Sequence, residues 1–162
     1  MVEFAILQLH GTGLKMAVVE KSVLIARSAQ QMFDLVDNVE DYPRFLPWCS
    51  ATRVGFRDEH RTVATLHISY LSVQSHFTTE NDKVAPLRMG LRLVDGPFRR
   101  LEGLWLFKPL AEDACKIEFS LSYDFSSRMF EKVIGPVFGQ ITNTFVDAFV
   151  RRADDVYGGS HV

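Results

Sequence analysis

The sequence predicts an α+β fold: a curved antiparallel sheet of about six to seven strands wrapped around a long C-terminal helix, with two short helices after the first strand. Three observations predict it. Between Ser50 and Tyr123 six strand-like segments follow one another with only short turn-forming connections, which implies an antiparallel meander. From about Ser127 to Tyr157 apolar residues recur at spacings of three and four, the mark of one helical face. Between the first strand and the meander, a helical pattern is cut short by two closely spaced prolines, Pro43 and Pro47.

Taken in order, Val18 to Ala26 is rich in strand formers. Ser28 offers an N-cap and Gln31 completes a capping box three residues later. Met32, Phe33, Leu35 and Val36 supply the apolar face of a helix ending near Asn38. The segment from Tyr42 to Cys49 has room for one helical turn, yet it carries Tyr42, Phe45, Leu46 and Trp48, so it must cover something. Ser50 to Arg57 opens the meander. Ala64, Leu66, Ile68 and Tyr70 then alternate with polar residues, and Phe77, Thr79 and Asn81 share one side of the next strand. Leu87 to Leu93, Leu101 to Lys108 and Lys116 to Tyr123 alternate in the same way. Ala85-Pro86, Asp95-Gly96-Pro97 and Ala111-Glu112-Asp113 punctuate hairpins. Leu71-Ser72 stands at a turn with no Gly, Asn or Pro. In the final helix Phe130, Val133, Ile134, Val137, Phe138, Ile141, Phe145, Phe149 and Val156 form the apolar face, Pro136 should bend it, and Gly158-Gly159 stops it.

A chain of 162 residues, 47% apolar and 23% charged, fits one domain with its own core. Its formal charge of −2 supplies no global positive field to draw in DNA. Cys49 and Cys115 form no CxxC unit and suit a reducing cytosol. No run approaches the 18 to 20 continuous apolar residues of a membrane span. Phe4 to Leu7 is too short for a signal-peptide core, and Glu3 stands where a positive charge belongs. Met16 is a candidate start. The expected organisation is a poorly ordered or peripheral extension over 1–15, a ligand-binding domain over 16–158 and a tail over 159–162.

One helix cannot fill the concavity of a strongly curled sheet, so a pocket is expected beneath it. A ligand pocket runs from about 300 Å³ upward, and an apolar void of that size costs on the order of 7 kcal/mol at about 24 cal/mol per Å³. Such a void calls for a ligand. The alternative is a fully packed core with no pocket.

Specific motifs carry a resemblance. Phe33 to Cys49, Leu93 to Phe98, Gly103 to Phe107, Cys115 to Ile117, Ile134 to Phe138, Asn143-Thr144 and Val146 to Phe149 closely resemble the coenzyme-Q-binding START-domain family, whose bacterial branch is also called ribosome-association toxin. The match covers about Met16 to Gly158 and departs at Leu71-Ser72. The resemblance implies a helix-grip, START-like fold of the polyketide-cyclase (SRPBCC) superfamily, with a hydrophobic tunnel for ubiquinone or a similar isoprenoid lipid. It also implies two lines of function: quinone chaperoning in support of respiration, and binding of the large ribosomal subunit with a block on subunit joining.

Covalent chemistry finds little support. Cys49 and Cys115 lie in apolar surroundings and read as buried structural thiols. His10, His60, His67, His76 and His161 show no metal-ligand spacing. His67 and His76 face each other across a hairpin and read as a solvent-facing pair. Arg99-Arg100, after Phe98, reads either as a solvated turn or as a mobile loop whose aromatic tip and two cations suit a membrane surface or ribosomal RNA. Arg151-Arg152 reads as charge near the helix end.

The reading is therefore a non-enzymatic protein that binds a hydrophobic, quinone-like molecule. It needs no cofactor, with ubiquinone or another isoprenoid lipid as ligand. The expected lining is Phe45, Leu46, Trp48, Leu66, Ile68, Phe77, Met89, Leu91, Trp105, Phe107, Phe138, Ile141 and Phe145. A polar group should orient the ligand head, and the sequence does not say which. The expected place is the cytoplasm, in transient contact with the inner-membrane surface. Phe98, Arg99 and Arg100 are the surface candidates for a partner. The alternatives are a ribosome-association regulator acting on the large ribosomal subunit and, by superfamily analogy alone, a cyclase or dehydratase.

Overall fold

In the computed structural model, which describes residues 2–11 and 14–158, with side chains from 16 to 158, one antiparallel sheet curls around one helix. The elements run β1 (Val2–Gly11), β2 (Leu14–Ile25), α1 (Ala29–Asp37), a 3-10 turn (Val39–Asp41), α2 (Tyr42–Phe45), β3 (Cys49–Arg57), β4 (Arg61–Tyr70), β5 (Val73–Val84), β6 (Arg88–Asp95), β7 (Phe98–Ala111), β8 (Ala114–Phe125) and α3 (Arg128–Tyr157). Across the sheet the order is β1-β2-β8-β7-β6-β5-β4-β3. The seven strands from β2 onward are the curved sheet that the sequence predicts. The extension over 1–15, expected to be poorly ordered or peripheral, contains β1 at the edge of the sheet, paired along its length with β2 from Val2↔Val23 to Gly11↔Leu14. The expected tail over 159–162 lies outside the described residues.

Local sequence chemistry sets the boundaries. Ser28 caps α1 in a full capping box with Gln31, and Asn38 ends it. Ser127 accepts a hydrogen bond from the Phe130 amide and starts α3. That helix runs on through the exposed Pro136 to Tyr157. Leu71 and Ser72 both adopt positive φ, 48° and 67°, the pattern of a type I′ hairpin turn. Leucine takes this left-handed conformation at a steric cost, which is why composition gave no turn signal there. Gly96 has a φ of 145°, and a Cβ on it would lie 2.7 Å from Phe77 Cβ, so the β6–β7 turn requires glycine.

Period-2 burial is cleanest in β8, where Cys115, Ile117, Phe119, Leu121, Tyr123 and Phe125 all turn inward. In β7 a register irregularity between Phe98 and Arg100 breaks the alternation. The bulge turns both Phe98 and Leu101 into the core and leaves Arg99 and Arg100 outside. This corrects the loop reading of that segment. Phe98 is 5% exposed and packs against Phe77, Tyr123, Phe125 and Phe138. Arg99 pairs with Asp124 and Arg100 with Glu102.

α3 crosses the concave face with Ile134, Val137, Phe138, Ile141, Val146 and Phe149 buried. Phe130, Val133 and Val156, expected on that face, are exposed instead: Phe130 and Val156 lie toward the ends of the 30-residue helix, about 45 Å long, and Val133 is turned to its solvent side. Two buried lysines fasten helices to the sheet: Lys21 on β2 to Asp147 on α3 at 2.7 Å, and Lys83 on β5 to Asp37 on α1 at 3.1 Å. Arg57 holds Glu40 through both carboxylate oxygens and donates to the Asp37 carbonyl. Tyr157 donates to the Gln31 carbonyl and ties α3 to α1.

Phe149, fully buried, stacks edge-on against Tyr42, Phe45, Trp105 and Phe145. Replacing it with alanine should lower the urea unfolding free energy by about 3–5 kcal/mol. Val133→Ala, on the exposed side of α3, should change it by less than about 0.5 kcal/mol.

Candidate ligand cavity

Between α3 and the sheet lies a partly open cavity of about 60 Å³. β4 contributes Ala64 and Leu66; β5 contributes Phe77, Thr79 and Asn81; β6 contributes Met89 and Leu91. Leu101 and Trp105 of β7 and Phe119 and Leu121 of β8 form the floor, and Phe138, Ile141, Thr142 and Phe145 of α3 form the roof. Val36, Val39, Tyr42 and Trp48 close one side. The segment from Tyr42 to Trp48 is thus a wall, as its apolar load suggested.

Nine of the expected lining residues meet here: Trp48, Leu66, Phe77, Met89, Leu91, Trp105, Phe138, Ile141 and Phe145. The structure places the other four elsewhere. Phe45 turns toward Phe149 and lies beneath the Arg152 guanidinium, 5.3 Å from ring centre to Cζ. Leu46 and Ile68 are buried in the general core. Phe107 stacks on Trp105 and meets Phe33 edge-on, one step further along β7 than the cavity reaches. The sequence reading passed over Leu101, Phe119 and Leu121, although strand parity puts them on the same face as Trp105. It also passed over Thr79 and Asn81 as site residues, although they share a side with Phe77.

At about 24 cal/mol per Å³, a void of about 60 Å³ costs on the order of 1.4 kcal/mol. The interior is therefore neither the large empty pocket of the first expectation nor solidly filled. A ligand bigger than a few waters must move side chains as it enters. Met89, with its flexible thioether, and the half-buried Leu66, Leu91 and Phe145 are the wall elements freest to do so.

Polar groups on the wall are few. Tyr42 is the single titratable side chain among the described lining residues. It donates its hydroxyl to the Val36 carbonyl, and burial holds its phenol far above the ordinary tyrosine range. Its proton is thus fixed at neutral pH. Thr142 donates to the Gly139 carbonyl within α3. Thr79 donates to Asn81 Oδ1 at 2.8 Å. His67 and His76 sit opposite each other with ring centres 5.7 Å apart, exposed on the sheet's outer face and away from the cavity. Among the described residues no group of three His, Cys, Asp or Glu is placed to hold a metal ion.

Curved sheet, clasping helix and apolar interior together define a helix-grip domain of the START type. The chain belongs to the family described as polyketide cyclase / dehydrase and lipid transport, which matches residues 25–150. A protein of Vibrio cholerae named ribosome association toxin RatA is 44% identical over 143 residues, covering 88% of this chain and 99% of that protein. A Xenopus laevis protein named coenzyme Q-binding protein COQ10 homolog B, mitochondrial, is 27% identical over 154 residues, covering 93% of this chain and 63% of that one. The solved structure of the Zhui aromatase/cyclase from Streptomyces sp. R1128 superposes with a TM-score of 0.72 at 14% identity, covering 90% of this chain and 99% of that one. The last likeness is one of fold.

Burial pushes the thiols of Cys49 and Cys115 up to about 11. Near pH 8 only about one thiol in a thousand is then the reactive thiolate. Iodoacetamide should alkylate the two free cysteines slowly in the native protein and rapidly in denaturant, with the native rate climbing as pH approaches 11; fast native alkylation at pH 8 would contradict the burial.

Proposed function

We propose that the protein is a non-enzymatic carrier of an apolar small molecule with the chemistry of an isoprenoid quinone. The observation that carries the reading is a cavity walled by aliphatic and aromatic side chains, whose one titratable group has its proton tied to a backbone carbonyl. A relative named for coenzyme Q binding and a family described in part as lipid transport support it. Burial of an isoprenoid tail supplies affinity at about 0.8 kcal/mol per CH₂, and no cofactor is required. In this reading the protein works in the cytoplasm and meets the inner-membrane surface to load and unload.

Trp48 and Trp105, the two tryptophans of the chain, both line the cavity. A short-tailed ubiquinone analogue should therefore quench the intrinsic fluorescence saturably. At a free concentration of about 100 Kd it should stabilise the fold by about 2.7 kcal/mol, which raises Tm by roughly 5–10 °C for a domain of this size. Absence of both effects, with no quinone in an organic extract of the purified protein, refutes the reading.

A second reading, association with the large ribosomal subunit, is favoured by the relatives named ribosome association toxin. It uses the outer surface and leaves the cavity free. The protein should then co-sediment with purified large subunits through a sucrose cushion at moderate salt and reduce subunit joining; no co-sedimentation removes this reading and leaves the carrier untouched.

A further inference from the structure

The inward face of β5 changes character along its length. Phe77 is followed at every second position by Thr79, Asn81 and Lys83, all buried. Lys83 is held by Asp37. Thr79 donates to one end of the Asn81 amide. The other end is poorly served: Nδ2 meets Met89 Sδ at 3.9 Å, and a thioether is a weak acceptor. Thr62, directly opposite Asn81 on β4, is 1% exposed, and its hydroxyl has no hydrogen-bond partner. Buried polar groups are almost always paired. Two under-served groups side by side, one of them on the wall of an otherwise apolar cavity, mark where a ligand's polar atom belongs.

We infer that Asn81 orients the ligand, its amide N–H donating to a carbonyl oxygen at the head of the otherwise apolar molecule. The inference rests on the carrier reading and narrows it. A pure hydrocarbon filling the cavity would shut Asn81 away from water with no acceptor better than the Met89 thioether. A molecule with a ring oxygen near Met89 supplies that acceptor while its tail lies against Trp105 and the α3 roof. A site whose polar group is left unpaired by the wrong ligand discriminates through that penalty. Thr79 is the positioning residue that holds the amide.

The test uses the full chain with two probes sharing a ten-carbon tail, a decyl dimethoxy-methyl-benzoquinone and decylbenzene, each titrated by calorimetry. Asn81→Leu should weaken quinone binding at least tenfold, about 1.4 kcal/mol, and leave decylbenzene binding unchanged or tighter. The carbonyl stretch of bound, isotope-labelled quinone should fall below its value in hydrocarbon solvent in the wild type and return to it in the variant. Asn81→Leu combined with Thr79→Val removes both hydrogen-bond partners together and serves if the single change does not fold. The wild-type infrared shift decides the matter without any variant. Quinone binding that survives Asn81→Leu at full strength, or an unshifted carbonyl in the wild type, overturns the role of Asn81 and leaves the carrier reading standing. Failure of the wild type to bind either probe overturns both.

Discussion

The seam where Phe145 and Phe149 of α3 meet Trp105 and Phe119 of the sheet is the contact on which the rest of the structure depends. A sheet with one apolar face must bury that face, and its twist makes the face concave. A helix presents a narrow convex stripe. The two surfaces match along one line only, and bulky aromatics occupy that line. To one side of it the gap is filled by α1 and by Phe33, Tyr42 and Phe45. Further along, toward Phe77 and Phe138, the filling thins and the cavity remains. Its position thus follows from the mismatch between helix and sheet, and its small volume follows from the size of the rings that bridge them.

The seam alone would let the covering elements slide. Apolar packing is non-directional, whereas the ion pairs Lys21–Asp147 and Lys83–Asp37 are specific in partner and geometry. Both lysines are almost fully buried, and both aspartates remain partly open to solvent. Such pairs contribute little net stability, since desolvation offsets much of the attraction. What they set is register. Asp147 places α3 against β2, and Asp37 places the end of α1, hence Tyr42 and Trp48, against β5. The wall of the cavity is located by these pairs and sealed by the aromatics.

Much of this was legible in the sequence, for reasons that differ between elements. Six β8 residues alternate without a break, so their inward set could be read from parity alone. Ser28 announces a helix start because capping needs a side-chain oxygen at one position. Phe98 could not be placed, because a bulge shifts parity by one and leaves no mark in composition; Arg99-Arg100 then looked like a loop. Leu71-Ser72 hid a type I′ turn, since the residues that normally signal it are absent. For the cavity, residue type was a good guide to burial and a poor guide to which buried residues border empty space. Phe45, Leu46, Ile68 and Phe107 are as apolar as their neighbours, and only the course of the chain in three dimensions puts them outside the wall. Thr79 and Asn81 erred in the other direction: their parity was read correctly, and their polarity kept them out of an apolar site.

The same fold serves enzymes, as the likeness to an aromatase/cyclase shows, so function must be argued from the groups that face the interior. A cyclase or dehydratase needs side chains that exchange protons with a bound substrate. The wall described here offers a phenol locked to a backbone carbonyl, two threonine hydroxyls already donating, and one amide. An amide holds a hydrogen bond through the whole residence of a ligand and neither gives up nor takes a proton. On the proposed reading, an interior built this way would grip a molecule and fix its direction without activating it, as a carrier requires. Arg99 and Arg100, tied to neighbouring acids, stand outside the cavity lining, so a macromolecular contact made through them would not draw on the side chains that shape the cavity.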